Sequence, residues 1–426
     1  MPYSDTIECD LTVIGRGMAG MAAALFAAEK GISTVQVGTN GGIIFASGLF
    51  DLFSVHPVNE KNIWKDPWMG IEALIRDIPG HPYSRLTKEE IQLAFEEMLG
   101  FLNVEGLHYC RAEEGNSEVI TPLGTTKHTY CVPQGMWNGV LALKEKKPCL
   151  LVDFPGMNGF SALQLAENLK EAWRDLRSAR IPFPEGKGQG TMVVGDVMAR
   201  GLELPEKREK LAGMILPYVK EAQHVGLPAV LGMSHHNEVI QELGARLGVP
   251  VFEIPTFSLS IPGLRLMETF TNALSKRGVR QFEQERVLVA ERRPDGRFAL
   301  GIGNKKLQTR VVSKGIILAS GRFWGKGLYA FRNRIKETVF DLPVSQPAER
   351  SEWHRKDFFD LRGHPVNQAG LETDDSYRPL GDSGKPAFDN LFAAGSILAH
   401  QDWMRMKCGS GLAIATAYGA VNGFSN

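Results

Sequence analysis

Short apolar runs and longer periodic stretches alternate along this chain. Leu11 to Ile14 is one such run, read as a buried strand, and it leads straight into glycines at 15, 17 and 20. An Ala-rich helix is expected from Met21 to Lys30, stopped by Gly31 as a C-terminal cap, with a second strand over Ile32 to Val37. From Pro148 the alternation becomes regular. Strands are expected at Cys149–Phe154, Thr191–Val194, Ala229–Met233 and Val251–Ile254. Between them lie helices opened at Ser161 and Pro205, and one that runs to Leu247 and ends at Gly248. After a helix over Leu264–Lys276 the pattern turns antiparallel. Phe282–Arg292, the turn Pro294-Asp-Gly296, Phe298–Ile302 and the turn Gly303-Asn304 predict a three-stranded meander that closes on the run Val311–Ser320. Near the end, Asn390–Ile397 reads as a buried strand and Leu412–Val421 as an Ala-rich helix.

Strands alternating with helices imply an α/β protein with parallel sheets. The stretch from about 56 to 147 breaks that rhythm with Pro57, Pro67 and Pro82. It carries one helix from Thr87, whose start Thr87-Lys-Glu-Glu90 is a capping box, with Ile91, Phe95, Met98 and Leu102 on one face. The expected division is therefore a discontinuous first domain at 1–55 and 264–426, an inserted cap segment at 56–147, and a second α/β unit at 148–263.

Composition narrows the class of function. Lys+Arg and Asp+Glu are equal at 48 each, so nothing favours nucleic acid or an anionic membrane surface. No apolar run is long enough to span a bilayer and no signal peptide is apparent, so a cytoplasmic protein is expected. The 5 cysteines lack any Cys-x-x-Cys spacing, which argues against a metal or iron–sulfur site in this chain.

The chemistry starts at Gly15-x-Gly17-x-x-Gly20. Gly15 permits a tight turn, Gly17 lets backbone approach a phosphate, and Gly20 allows close helix–strand packing. Glycine-rich strand–helix turns also occur without a ligand; the strand–turn–helix–strand context favours the phosphate site. Arg16 adds charge beside that phosphate or is a solvated arginine. Dinucleotide sites usually carry an acidic residue at the end of the second strand, but Val37-Gly-Thr-Asn40 has none. The following loop, with Gly41, Gly42, Ser47 and Gly48, suits a surface wrapping a cofactor, or a plain connection. Thr121–Thr129 is an anion-binding segment or an exposed hairpin. His235 and His236 fall at a strand-to-helix turn. At the far end, Cys408-Gly-Ser-Gly411 opens a helix whose positive N-terminus points at something.

Taken together, the opening glycines, the Gly-rich loop, the meander, the strand end Ala319-Ser-Gly321 and the closing Ala394-Gly395 strand with its helix resemble flavoproteins of the two-dinucleotide-domain, fumarate-reductase-like kind. Ala46-Ser-Gly-Leu-Phe-Asp-Leu52, Thr121-Pro-Leu-Gly-Thr125, Gly226-Leu-Pro-Ala-Val-Leu-Gly232, Phe252-Glu-Ile-Pro-Thr256, Pro262-Gly263 and Gly321-Arg-Phe-Trp-Gly-Lys-Gly327 resemble the B subunit of the anaerobic glycerol-3-phosphate dehydrogenase family. The resemblance implies a Rossmann-like flavoprotein fold with the inserted cap and meander, and a flavin, FMN or FAD. FMN is favoured by the family and by the missing ribose carboxylate. It implies cofactor contacts from Gly15, Arg16, Gly17, Gly20, Gly41, Gly42, Ser47, Gly48, Gly321, Gly395, Gly409, Ser410, Gly411 and Leu412. One departure is Arg322, which follows Ala319-Ser-Gly321 where flavoproteins more often have Thr-Gly-Gly. The implied partners are a homologous flavoprotein catalytic subunit and an iron–sulfur subunit that passes electrons toward membrane quinone. Substrate oxidation on this chain would need a base and cations for a phosphate. The candidates are Lys127, His128, His236 and Arg322, then Arg265, Lys326, Arg378 and His400. Two other readings remain open at this point, a self-sufficient flavin oxidoreductase of another small acid and a flavin-free scaffold. Partner docking is expected at Ile63–Trp68 or Trp403–Met406.

Overall fold

The structure is a computed structural model and describes residues 5–184, 194–257 and 259–425. It divides into two compact units, one of residues 1–43, 50–105 and 269–426, the other of residues 44–49 and 106–268.

The first unit is built on a seven-stranded sheet. Strand β1 (Asp5–Arg16) leads into α1 (Met18–Glu29) and β2 (Thr34–Asn40); then come β3 (Arg280–Glu283), β4 (Arg286–Arg292), β5 (Phe298–Gly303), β6 (Leu307–Leu318) and β7 (Leu391–Ala393). Their order is β3-β2-β1-β6-β5-β4, with β7 pairing the end of β6. Strands β3, β2, β1, β6 and β7 run parallel, while β4, β5 and β6 form the antiparallel meander. Strand β6 reaches both sets because its first part pairs with β5 and its last three residues with β7. The apolar run of β1 is buried on both faces, as a central parallel strand must be. Helix α1 buries every residue from Ala19 to Ala27, so it has no solvent face; small side chains let it lie flat between sheet and closing helix. That closing helix, Gly409–Ser425, meets α1 through an edge-to-face contact of Phe26 and Tyr418 at 5.4 Å.

The expected strand Phe282–Arg292 is in fact two. Residues 280–283 extend the parallel sheet beside β2, Gln284 takes a left-handed φ of 57°, and only from Arg286 does the meander begin. The break falls in the polar stretch Glu283-Gln-Glu-Arg286, and no Gly, Pro, Asn or Asp marks the turn, so nothing in the local sequence announces it.

The stretch 56–147 is not one insert. Residues 50–105 count with the first unit and 106–147 with the second. The reason is the apolar stripe of helix Lys88–Val104, which starts at the expected Thr87 capping box. It buries Ile91, Phe95, Met98, Phe101 and Leu102, and Phe101 stacks near Phe270 at 5.2 Å.

In the second unit, strands Val251–Ile254, His224–Pro228, Cys149–Asp153 and Leu176–Arg180 form a parallel sheet in that order. The expected strand at 229–233 lies five residues earlier, and the helix opened by Ser161 stops at Leu169, leaving Leu176 to start a strand. The expected strand at Thr191–Val194 begins outside the described residues. A helix over His236–Leu247 ends at Gly248 with φ 71°, as its sequence predicts.

Candidate flavin site

Three glycines do three different things at the end of β1. Gly15 has φ +137°, and any Cβ there would collide with the carbonyl of Ala319 at the end of β6. A Cβ on Gly20 would collide in turn with the carbonyl of Gly15. These two are demanded by packing. Gly17, the N-cap of α1, is different: nothing lies within 4 Å of where its Cβ would stand, and no side chain caps the helix. The N-terminus of α1 therefore has no side-chain cap and has room beside Gly17, as a phosphate at a helix N-terminus requires. Gly41 closes on this loop from β2, its Cβ position 2.7 Å from Gly17 Cα, while Gly42 again faces open space.

Two further backbone segments arrive at the same place. Gly395, after β7, has φ +77° and a Cβ position 2.5 Å from Ala19 Cβ in the first turn of α1. Its N–H donates to Thr416 Oγ1 at 2.8 Å, and Thr416 donates to the Leu412 carbonyl at 2.6 Å, locking the closing helix to the strand end. Gly321, with φ +68°, lies 3.4 Å from Ser396 Oγ by the same measure. At the start of the closing helix, Ser410 Oγ accepts from Asp51 N at 2.7 Å and Gly411 N donates to Asp51 O at 2.8 Å. A Cβ on Gly411 would come within 2.6 Å of the Tyr83 hydroxyl, and one on Gly409 within 2.8 Å of the Trp403 ring. The N-terminus of α1 thus lies at the glycine-lined ends of β6 and β7, and the closing helix is bonded to the end of β7 through Thr416, while its own first residues pack on Asp51, Tyr83 and Trp403. Ser320 Oγ and Arg322 Nε are buried there without a protein partner, polar atoms that a bound group would satisfy. A cradle open only at Gly17 and Gly42, an uncapped helix N-terminus and orphaned donors fit a ligand with a phosphate at one end and a polar ring edge at the other.

A family profile described as "FAD binding domain" matches residues 10–412. The chain is 31% identical over 427 residues to the probable B subunit of the anaerobic glycerol-3-phosphate dehydrogenase of Halobacterium salinarum, with 97% of each chain covered. The chain belongs to this family of anaerobic glycerol-3-phosphate dehydrogenase B subunits. Another member, from Vibrio vulnificus, is 28% identical over 97% of this chain and 96% of its own. Among solved structures, 3-ketosteroid delta1-dehydrogenase from Sterolibacterium denitrificans aligns at TM-score 0.44 and 12% identity, covering 98% of this chain and 99% of its own. A flavocytochrome c3 fumarate reductase aligns at 0.41 and 10%, covering 99% and 78%. By family, then, the chain is a flavin-dependent oxidoreductase with an α/β flavoprotein fold.

One expected contact, Arg16, does not fall at the cradle. Arg16 turns away from the phosphate loop: its guanidinium is wholly buried, donating to Thr271 Oγ1 at 3.0 Å and lying 3.3 Å from Glu283. Its stem packs against Gly38, where any Cβ would stand 3.3 Å from Arg16 Cγ. Ser47 and Gly48 belong to the second unit, where Gly48 meets Pro262 and Pro133.

The catalytic candidates divide between the two units, Lys127, His128, His236 and Arg265 in the second and Arg322, Lys326, Arg378 and His400 in the first. Lys127 and His128 sit on the hairpin Ser117–Ile120 with Thr126–Thr129, in the second unit. His236 is buried at the start of its helix, and burial pushes its imidazole down to about 3, which leaves it neutral. Arg265 is committed to the buried carboxylate of Glu253 at 2.7 and 2.8 Å and to the carbonyl of Gly232, so it holds the loop after a strand rather than a substrate phosphate. Arg378 pairs with Asp374 at 2.7 Å and His400 with Glu372. Lys326 takes a left-handed φ of 61° in the turn before Gly327. Arg322 is buried and donates to the carbonyls of Asn367, Leu398 and Gln401, the last at 2.7 Å; burial lowers its guanidinium to about 10. It braces the loop that leads to the closing helix.

Sequence reasoning missed Asp51, Tyr83 and Thr416. The spacing Leu412–Thr416 is a legible signal, since a threonine in a helix bonds back to the carbonyl four residues earlier. Tyr83 had none.

Proposed function

We propose that this chain is the flavin-carrying redox subunit of an anaerobic glycerol-3-phosphate dehydrogenase, acting in the oxidation of glycerol 3-phosphate to dihydroxyacetone phosphate. The observation that supports this reading is the meeting of Gly15–Gly20, Gly41 and Gly395 around the N-terminus of α1, with the closing helix bonded to Gly395 through Thr416. A bound flavin supplies the two-electron chemistry; the chain binds it and sets its electrostatic surroundings. The open N-terminus of α1 holds the phosphate. The closing helix presents its positive end to the ring edge where negative charge develops, an effect of about 0.3–1 kcal/mol or more when partly buried. Electrons then pass to an iron–sulfur subunit and to quinone, in a complex held at the inner face of the membrane by its partners. The subunit names of the relatives support the complex. Among the described residues no helix is long and apolar enough to cross a membrane.

The finer reading is FMN. Residues 37–40 offer no carboxylate to an adenosine ribose, and the Arg16 stem fills the space beside Gly38. One observation favours FAD in addition to the family profile: Glu283 pairs in register with Gly38, placing a half-exposed carboxylate one strand over. The mass of the flavin released by heat distinguishes them. For the activity, glycerol 3-phosphate added anaerobically to the purified complex should bleach this chain's flavin. A flavin that bleaches with dithionite but never with glycerol 3-phosphate contradicts the assignment.

A further inference from the structure

We infer that the aromatic face of the first unit formed by residues 323–331, 358–361 and 403–404 is the docking surface for the iron–sulfur subunit, and that this partner meets it with an acidic rim. The inference rests on the flavin reading above. Ten aromatic side chains are exposed among the described residues, and six of them fall between 323 and 359: Phe323, Trp324, Tyr329, Phe331, Phe358 and Phe359. Trp403 is a seventh, beside the exposed Met404. Trp324, Phe358 and Phe359 are 76–79% exposed, and clustered exposed aromatics mark interaction surfaces.

The three segments are neighbours. A Cβ on Gly363 would lie 3.0 Å from both Arg405 Cδ and Asp402 Oδ2, which brings the 354–364 loop onto the segment bearing Trp403. Arg322, next to Phe323, ties the same region together through the carbonyls of Asn367 and Gln401. In the stretch 63–68, Trp64 and Trp68 are half-buried and Trp64 Nε1 donates to the His56 carbonyl at 2.6 Å, so its two tryptophans, unlike Ile63, are turned partly inward.

Two observations fix the kind of partner. Trp403 is 38% exposed on one side, while its ring lies 2.8 Å from the Cβ position of Gly409, the first residue of the closing helix. The face therefore lies one side chain away from the helix end assigned to the flavin, where transfer to a second redox centre is shortest. Second, residues 322–364 carry nine Lys and Arg against six Asp and Glu, which repels a second copy of the same face and attracts an acidic one. A cavity of about 680 Å³ at its rim is lined by Arg355, Lys356 and Arg362 and by Glu352, Asp357 and Asp360, so it is balanced in charge and offers a polar recess beside the aromatic face. Two electrons and two protons leave the alcohol per turnover; the electrons cross this face singly to the partner's iron–sulfur centre, and the protons pass to water.

The test uses the complex purified through a tag on this chain, read by its iron, acid-labile sulfide and flavin. Wild type should carry all three. Phe358→Ser with Phe359→Ser, and separately Arg355→Glu with Lys356→Glu, should keep flavin content and dithionite bleaching while co-purified iron falls at least tenfold. Either variant retaining its iron, or a wild-type chain that self-associates through this face and brings no iron, overturns the inference and leaves the flavin reading standing. A colourless wild-type chain overturns both.

Discussion

At the scale of single residues, the glycines at 15 and 17 separate a structural demand from a functional one. Gly15 is held by backbone strain and by the carbonyl of Ala319, whereas Gly17 has room for a side chain and only a ligand to object. Gly17→Val is expected to fold with a melting temperature within a few degrees of the apo wild type and to lose its flavin. Gly15→Val should lose stability first, by more than about 2 kcal/mol. Thermal unfolding with flavin quantitation checks both; flavin retained by Gly17→Val would make the motif purely structural. A second prediction concerns His81, wholly enclosed, with Nδ1 accepting from Tyr83 N at 3.2 Å and its side chain held down to about 3 by burial. The unfolded chain takes up this proton as pH falls below about 6.5, while the folded chain refuses it until about 3. Stability is therefore full above that range and is lost as pH falls through it, by about 1.4 kcal/mol per pH unit for this one group. His81→Asn keeps an acceptor for Tyr83 and should flatten the dependence of unfolding free energy on pH between 6 and 4; an unchanged slope contradicts the burial. The glycines of the site were legible because each backbone demand selects one residue type. Arg16 was not, since a charge written next to a phosphate loop reads as a phosphate ligand until its side chain is seen turned to Thr271 and Glu283.

At the scale of elements, the closing helix is aimed by what precedes it. Arg322 collects three carbonyls from residues 367, 398 and 401, so the loop from β7 to the helix is braced by one buried cation. Arg322→Met is expected to cost about 3 kcal/mol and to weaken flavin binding, through the lost brace and through the loss of the buried Nε donor. Equilibrium dialysis of flavin alongside urea unfolding measures the two effects; tight binding in a destabilised variant would confine Arg322 to folding. Elements with a strong end signal were readable from sequence: the Thr87 capping box and Gly248 mark real helix ends. Those without one slipped, as when Phe282–Arg292 hid a change of strand partner or when 224–228 took the place expected for 229–233. Extended character was right in each case, and pairing, which depends on distant chain, decided the boundary.

At the scale of the whole molecule, the α/β class and the meander followed from local pattern, but the assignment of 50–105 to the first unit did not. That assignment depends on which helix receives the stripe Ile91, Phe95, Met98 and Phe101, and a stripe does not name its partner. The same limit applies to the exposed aromatics, whose clustering comes from packing of segments about 30 to 80 residues apart. What unites the molecule is the claim that both ends of the sequence converge to hold one flavin. The most direct test is the visible spectrum of the purified wild-type chain, with the cofactor counted after heat release. The account predicts one noncovalently bound flavin per chain, bleached by dithionite and absent from Gly17→Val. A colourless chain that stays colourless after incubation with FMN and with FAD would contradict it.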